Sequence, residues 1–169
     1  SFALRANSST RPARNAAATS ACAAGAATWE LSSRLRLTGA TAWAFGTGDF
    51  NIQFFCRSVA MPTGTYHSPI GNYASGSGFC FFLRPSGVVD FRINTTTLVS
   101  ASGVFAVNTD YLVDIRRVAG VCSVRLNGTE VINGSLTASL TRSDFVHVGA
   151  NGVAGDVWNG WIGNVRAVS

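Results

Sequence analysis

From Asp49 to Arg57, Phe50, Ile52, Phe54 and Cys56 alternate with Asn51, Gln53 and Arg57, and only Phe55 interrupts the polar side. A period of two belongs to a strand with one buried face. So much aromatic volume on one face needs a second layer to cover it, and the later apolar runs repeat the period. Phe79, Phe81 and Leu83 alternate with Cys80, Phe82 and Arg84, Pro85-Ser86-Gly87 turns the chain, and Val89, Phe91 and Ile93 return as a hairpin partner. Tyr111, Val113 and Ile115 form the inward set of another strand, followed by Cys122, Val124 and Leu126 before an Asn127-Gly128 turn signal. Val131-Ile132, Phe145 to Val148 and Trp158 to Val168 complete the series, with Leu98-Val99 and Val104 to Val107 as short edge pieces. Upstream, Trp29, Leu31, Ser33, Leu35 and Leu37 share a parity opposite Arg34 and Arg36, which predicts one first strand ending at Thr38-Gly39. Residues 63–78 read as a long loop with a short apolar piece at Pro69-Ile70. Short strands, regular turn signals and the lack of a convincing helix in the body predict an all-β, antiparallel two-sheet sandwich over residues 29–169.

Residues 1–28 follow another pattern. They are rich in Ala, Ser, Thr and Arg and nearly devoid of large apolar residues after Leu4. Such a stretch cannot bury enough surface to order itself. It is expected to be an extended or partly helical arm docked on a partner, with Phe2, Leu4, Arg5, Arg11 and Arg14 as its contacts. The partners would be protein, in a homo-oligomer or a larger particle. A coil or short helix folded back on the body is the plainer alternative.

Composition narrows this picture. A length of 169 residues suits one domain. Eighteen glycines with only 12% charged residues suit tight turns between short strands. No apolar run reaches the ~18 residues of a membrane helix. The net charge is +5 and all thirteen basic residues are arginine, a bias that a GC-rich coding sequence produces unaided. Anionic partners are permitted, but the scattered arginines do not point to nucleic acid. Cys22, Cys56, Cys80 and Cys122 lack metal-ligand spacing. Cys56 and Cys122 fall on inward parities and read as small buried hydrophobes, with a disulfide between them left open.

The stretches GDFNIQFFCR, GFCFFLRPSGVVDFRI, YLVDIRR, VCSVRLNGTEV, VHVG and WNGWIGNVR resemble, in order and spacing, the concanavalin A-like lectin/glucanase superfamily. The likeness is to its laminin-G-like and pentraxin-like branch, and runs from about residue 31 to the C-terminus. It implies a jelly-roll sandwich whose closing strand, Trp158 to Arg166, pairs beside the first. Asp110 stands where many relatives have Trp, Gly163-Asn164 replaces an acidic pair, and residues 1–28 have no counterpart. Many relatives bind calcium at a sandwich edge, and here Asp49, Asn151, Asp156 and Asn159 are the loop residues available for it. Ordinary turn roles compete for all four. No other cofactor is implied.

Hydrolytic members of that superfamily carry two glutamates on one strand, flanking a glycosidic bond. This chain has only Glu30 and Glu130, far apart in sequence. His67 and His147 come with no strained nucleophile turn, and there is no phosphate loop, dinucleotide fingerprint or zinc pattern. The outward parities are more informative: Asn51, Gln53, Phe55, Arg57, Phe82, Arg84, Arg92, Arg116 and Arg125 are the candidate ligand-binding residues. Arginine forks, amides and exposed rings suit an acidic glycan or another protein, and equally a soluble sheet face. The expected function is therefore non-catalytic recognition. The chain would be a surface-displayed, extracellular or phage virion component (decoration, fibre or tail type), anchored by its arm and touching glycans. A free lectin or carbohydrate-binding module is the alternative, and a glycoside hydrolase the third reading.

Overall fold

The run that opens the sequence pattern becomes strand β4 (Phe50–Ser58), with Ile52, Phe54 and Cys56 wholly buried and Phe55 on the other side, 38% exposed. The computed structural model describes residues 4–6, 27–30, 34–38, 40–152 and 156–169. Its strands, numbered in chain order, form two sheets. The six-stranded sheet runs β1 (Leu4–Ala6), β13 (Gly160–Val168), β4, β9 (Tyr111–Val118), β10 (Val121–Leu126) and β11 (Thr129–Ser135). The seven-stranded sheet runs β2 (Ala27–Glu30), β3 (Arg34–Thr38), β12 (Phe145–Val148), β5 (His67–Gly71), β6 (Phe79–Leu83), β7 (Val89–Ile93) and β8 (Thr96–Val99). Every strand pairing is antiparallel.

The inward residues of both sheets meet in one core. Phe54 of β4 stands edge-on to Phe81 of β6, with ring centroids 5.7 Å apart, and Phe50 meets Phe91 of β7 at 6.2 Å. Each wholly buried Phe or Ile side chain contributes about 1.5–3 kcal/mol by leaving water. Arg117 of β9 has the inward parity and is 0% exposed. Its guanidinium lies over Phe50 and donates to the carbonyls of Gly46, Gly48 and Ala138. One cation thereby satisfies loop carbonyls that close one end of the core.

Most predicted strands are present, and four expectations change. The single first strand is a hairpin: β2 pairs with β3 so that Ala27 faces Leu37 and Trp29 faces Leu35. Partners in this register share parity, so alternation runs through the reversal without registering it. The closing strand does not pair beside the predicted first strand, since β3 belongs to the seven-stranded sheet; the neighbours of β13 are Leu4–Ala6, within the stretch read as an arm, and β4. The stretch near Val104 to Val107 is no strand; Phe105 there plugs the core, stacked on Tyr111 at 4.2 Å. The loop read at 63–78 contains β5, in the middle of a sheet. It escapes a pattern search because Ser68, Pro69 and Gly71 supply small volume where both faces are covered. A Cβ at Gly71 would lie 2.7 Å from Cys80 Sγ and 2.9 Å from the Phe79 carbonyl oxygen, so the tight β5–β6 approach requires glycine.

Cys56, Cys80 and Cys122 are buried free thiols, and Cys22 lies outside the described residues. Cys56 pairs with Tyr111 and Cys122 with Arg117, at opposite ends of β9 and roughly 20 Å apart along it. The disulfide left open between them does not form. Burial raises all three thiol pKa values, that of Cys122 to about 12.

Candidate functional site: the outer face of the seven-stranded sheet

The nine positions expected on one outward face lie on two opposite faces of the sandwich. Asn51, Gln53, Phe55 and Arg57 (β4), Arg116 (β9) and Arg125 (β10) belong to the six-stranded sheet. Phe82 (β6), Arg84 (just after it) and Arg92 (β7) belong to the seven-stranded one. No ligand of ordinary size touches both groups.

On the six-stranded face these candidate residues bind partners within the face, whereas Arg166 of β13, paired with Gln53, is exposed. Asn51 and Gln53 each donate to Asp114 Oδ1, and Arg116 binds the same carboxylate through Nε at 3.1 Å and Nη2 at 2.7 Å. Burial alone would raise the Asp114 pKa, but these bonds outweigh it and hold the carboxyl below its usual range. Arg57 forks onto Asp110 at 2.8 and 2.7 Å. Arg125 reaches Glu130, which also accepts from Asn133.

The seven-stranded face is different. Strand pairing sets Arg36, His147, Gly71, Cys80, Arg92 and Thr97 in one row across it, and Phe82 beside Asp90 in a neighbouring row. Connecting segments then roof these rows. Tyr66, just before β5, places its ring 5.0 Å from that of Phe82. Tyr73 is set by the loop after β5. There Asn72 is buried, accepting from Phe79 N and donating to the Arg142 carbonyl, and Gly152 packs so closely on the Tyr73 backbone that no side chain fits. Phe82 keeps its expected outward parity yet is only 2% exposed, because this roof covers it.

Arginines thread the aromatic groups. The Arg92 guanidinium lies 5.1 Å from the Tyr73 ring centroid and 5.3 Å from that of Phe82, and Arg84 lies 5.6 Å from that of Tyr66. Such stacking holds each fork in a fixed plane. Arg92 Nε donates to Thr97 Oγ1 at 3.0 Å, and its two Nη groups have no hydrogen-bond partner among the described residues. Asp90, 1% exposed, has Oδ2 3.5 Å from Arg84 Nη1 and Oδ1 without a partner among those residues. Burial raises its pKa despite Arg84 and Arg92. Asp156 is raised likewise by burial, against the opposing effects of the Tyr66 backbone N–H, His67 and Arg92. Burial lowers the His67 pKa, opposed by Asp156 and a bond to Ala60.

The four calcium candidates do not converge. Asp49 caps the β9–β10 turn by accepting from Ala119 N, while Asn159 lies at the far end of β4, where its carbonyl accepts from Val59 N and Ser58 Oγ. A nine-residue strand separates those two by roughly 30 Å. Asn151 donates to Asp156, and both sit by the seven-stranded face. Among the described residues no three His, Cys, Asp or Glu side chains cluster as a metal site. Glu30 ends β2, an edge strand of the seven-stranded sheet, and Glu130 lies in β11, an edge strand of the six-stranded sheet. Of the arm residues, Leu4 and Arg5 lie in β1, whereas Phe2, Arg11 and Arg14 fall outside the described residues. Trp158 is core, and Trp161 is half-buried on β13, paired with Arg57.

Sequence reasoning missed Tyr66, Tyr73 and Asp90 in this site. Asp90 had a signal: it shares parity with Arg92 on a hairpin opposite Phe82. The tyrosines had none, since loop course alone brings them over the sheet.

No protein-family model matches the chain, and no curated protein matches its sequence. Solved structures share its fold at low identity. The binding domain of Paraclostridial Mosquitocidal Protein 1 aligns with a TM-score of 0.67 and 11% identity, covering 82% of this chain and 38% of that one. The Botulinum neurotoxin serotype D binding domain gives 0.60 and 11%, over 80% of this chain and 36% of that one. Domain 4 of AbnA, a GH43 extracellular arabinanase from Geobacillus stearothermophilus, solved with arabinotriose, gives 0.53 and 14%, over 79% and 65%. The chain thus spans under two-fifths of the length of the toxin binding domains. These likenesses establish an all-β fold of two antiparallel sheets, and the toxin structures sharing it are binding domains. Among the described residues no helix is long and apolar enough to cross a membrane.

Proposed function

We propose that this domain is a non-catalytic carbohydrate-recognition module of the concanavalin A-like, jelly-roll kind, binding sugar on the outer face of its seven-stranded sheet. The arginine–tyrosine stack carries the reading. Tyr66 and Tyr73 offer ring surface for the C–H face of a sugar, and Arg84, Arg92 and Asp90 offer planar polar groups beside it for hydroxyls. The toxin binding domains and the arabinotriose-bound domain that share the fold support the same reading. Binding of oligosaccharides to the full chain, measured on a glycan array and by calorimetry, tests it. Tyr73→Ala should lower affinity roughly tenfold, since a stacked ring contributes about 1–1.5 kcal/mol. Unchanged affinity in both Tyr73→Ala and Tyr66→Ala would remove this face from the function.

The segment between β1 and β2 favours a second element, display on a larger assembly such as a virion or a cell surface. It connects edge strands of the two different sheets, and its Ala/Ser/Arg composition is poor in core-forming residues. Replacing residues 7–26 by a Gly-Ser linker of equal length should turn an assembly into a folded monomer on native mass measurement. An unchanged mass would end the attachment role.

A further inference from the structure

Asp90 and Arg92 stand two residues apart on β7 and so on one face, and each lacks something. Arg92 is fixed at Nε by Thr97 and in plane by the Tyr73 and Phe82 rings, with both Nη groups unpartnered among the described residues. A planar pair of N–H donors is the complement of a carboxylate, which it binds bidentately. Asp90 needs the opposite: Oδ1 is buried without a donor among the described residues, and an unmet buried acceptor is costly. A hydroxyl supplies that donor. A neutral sugar would serve Asp90 and leave the Arg92 fork empty. An unprotonated inorganic anion such as sulfate or chloride would serve Arg92 and bring Asp90 no donor, and a protonated one such as hydrogen phosphate would offer the tyrosines no C–H face. The two needs are met together by a molecule with a carboxylate, a hydroxyl and an apolar C–H face for the tyrosines.

We infer that the ligand of this face is a carboxylated sugar, its carboxylate held by the two Nη groups of Arg92, a hydroxyl of the same sugar donating to Asp90 Oδ1 once the covering tyrosines shift to admit it, and its ring lying against Tyr66 and Tyr73. This rests on the reading of the seven-stranded face as a sugar site. The surrounding charge agrees with it, since Arg36, Arg84, Arg92 and Arg142 outnumber Asp90, Asp144 and Asp156.

The test is calorimetry on the full chain at neutral pH and near-physiological salt, with trigalacturonate against galactotriose and sialyllactose against lactose. The expected result is that an acidic sugar binds at least about tenfold more tightly than its neutral counterpart. Arg92→Gln should remove that preference, Arg92→Lys should restore only part of it because an ammonium is not a fork, and Arg125→Gln, on the opposite face, should leave it intact. Thermal unfolding of each variant separates loss of the site from loss of the fold. Equal affinity for acidic and neutral sugars would overturn the inference while leaving the sugar site standing. So would a preference for acid that survives in folded Arg92→Gln. Binding to none of these or any arrayed glycan would instead overturn the sugar reading itself.

Discussion

The two outer faces of this sandwich are written in the same code, polar residues alternating with an apolar core set, and both are rich in arginine. On the six-stranded face Arg57, Arg116 and Arg125 each have a carboxylate partner. On the seven-stranded face the Arg92 Nη groups and Asp90 Oδ1 have no hydrogen-bond partner among the described residues, while rings stack around Arg92. The first arrangement is a solvated surface on which these three arginines are already matched, so a ligand gains little by competing for them. The second keeps fixed, partly dehydrated donors and acceptors in reserve, the condition in which an added hydrogen bond contributes most. Arginine content therefore says little about where a ligand binds; the state of the partners decides.

That contrast can be broken or sharpened by substitution. The largest effect is expected at Arg117, which holds the frame both faces share. Arg117→Met should cost about 3–5 kcal/mol in denaturant unfolding, because the carbonyls of Gly48 and Ala138 lose their Arg117 donor inside the fold and that of Gly46 keeps only Leu140 N. Next comes Gly71→Ala, expected to cost about 1–3 kcal/mol through overlap with Cys80 and Phe79 and to weaken sugar binding by shifting β5 and Tyr66 with it. Stability loss with unchanged binding would show that β5 does not set the site.

Asp114→Ala should remove about 1–3 kcal/mol and leave ligand affinity unchanged, since its bonds to Asn51, Gln53 and Arg116 serve only the six-stranded face. The two aspartates also respond to pH with opposite sign. The Asp114 pKa is lowered on folding, so its stabilisation is present above the unfolded carboxylate value and disappears as pH falls through the folded one. The Asp90 pKa is raised, so its contribution is present below the unfolded value and lost as pH rises through the folded one. Unfolding midpoints of Asp114→Asn and Asp90→Asn, followed from acid to neutral pH, should accordingly diverge: Asp114→Asn falls behind the parent as pH rises, and Asp90→Asn gains on it. A parallel response would erase the distinction between matched and reserved carboxylates. The smallest effect belongs to Arg125→Gln, within about 0.5 kcal/mol, as for an exposed ion pair.

The six-stranded sheet was nearly readable from the chain. Its β4, β9 and β10 alternate cleanly because one face is core and the other is exposed, and the Asn127-Gly128 turn marks a two-residue reversal. The candidate site was half legible. Phe82, Arg84 and Arg92 were chosen correctly as outward positions, but they were grouped with residues on the opposite side of the molecule. Parity distinguishes core from non-core and carries no label for which sheet a strand joins.

Local sequence thus determined which residues turn inward, where tight turns fall, and that two β layers must cover each other, because period-two alternation and turn chemistry act over a few residues. Strand assignment was decided only in three dimensions. The hairpin of β2 and β3 hides within one parity, and β5 enters the sheet on small residues that periodicity cannot detect. The site depended on the same level. Tyr66 and Tyr73 come from loops, and the Arg92 fork stands beside an Asp90 oxygen that has no partner among the described residues. Both are facts of packing between segments distant in sequence, which no local pattern encodes.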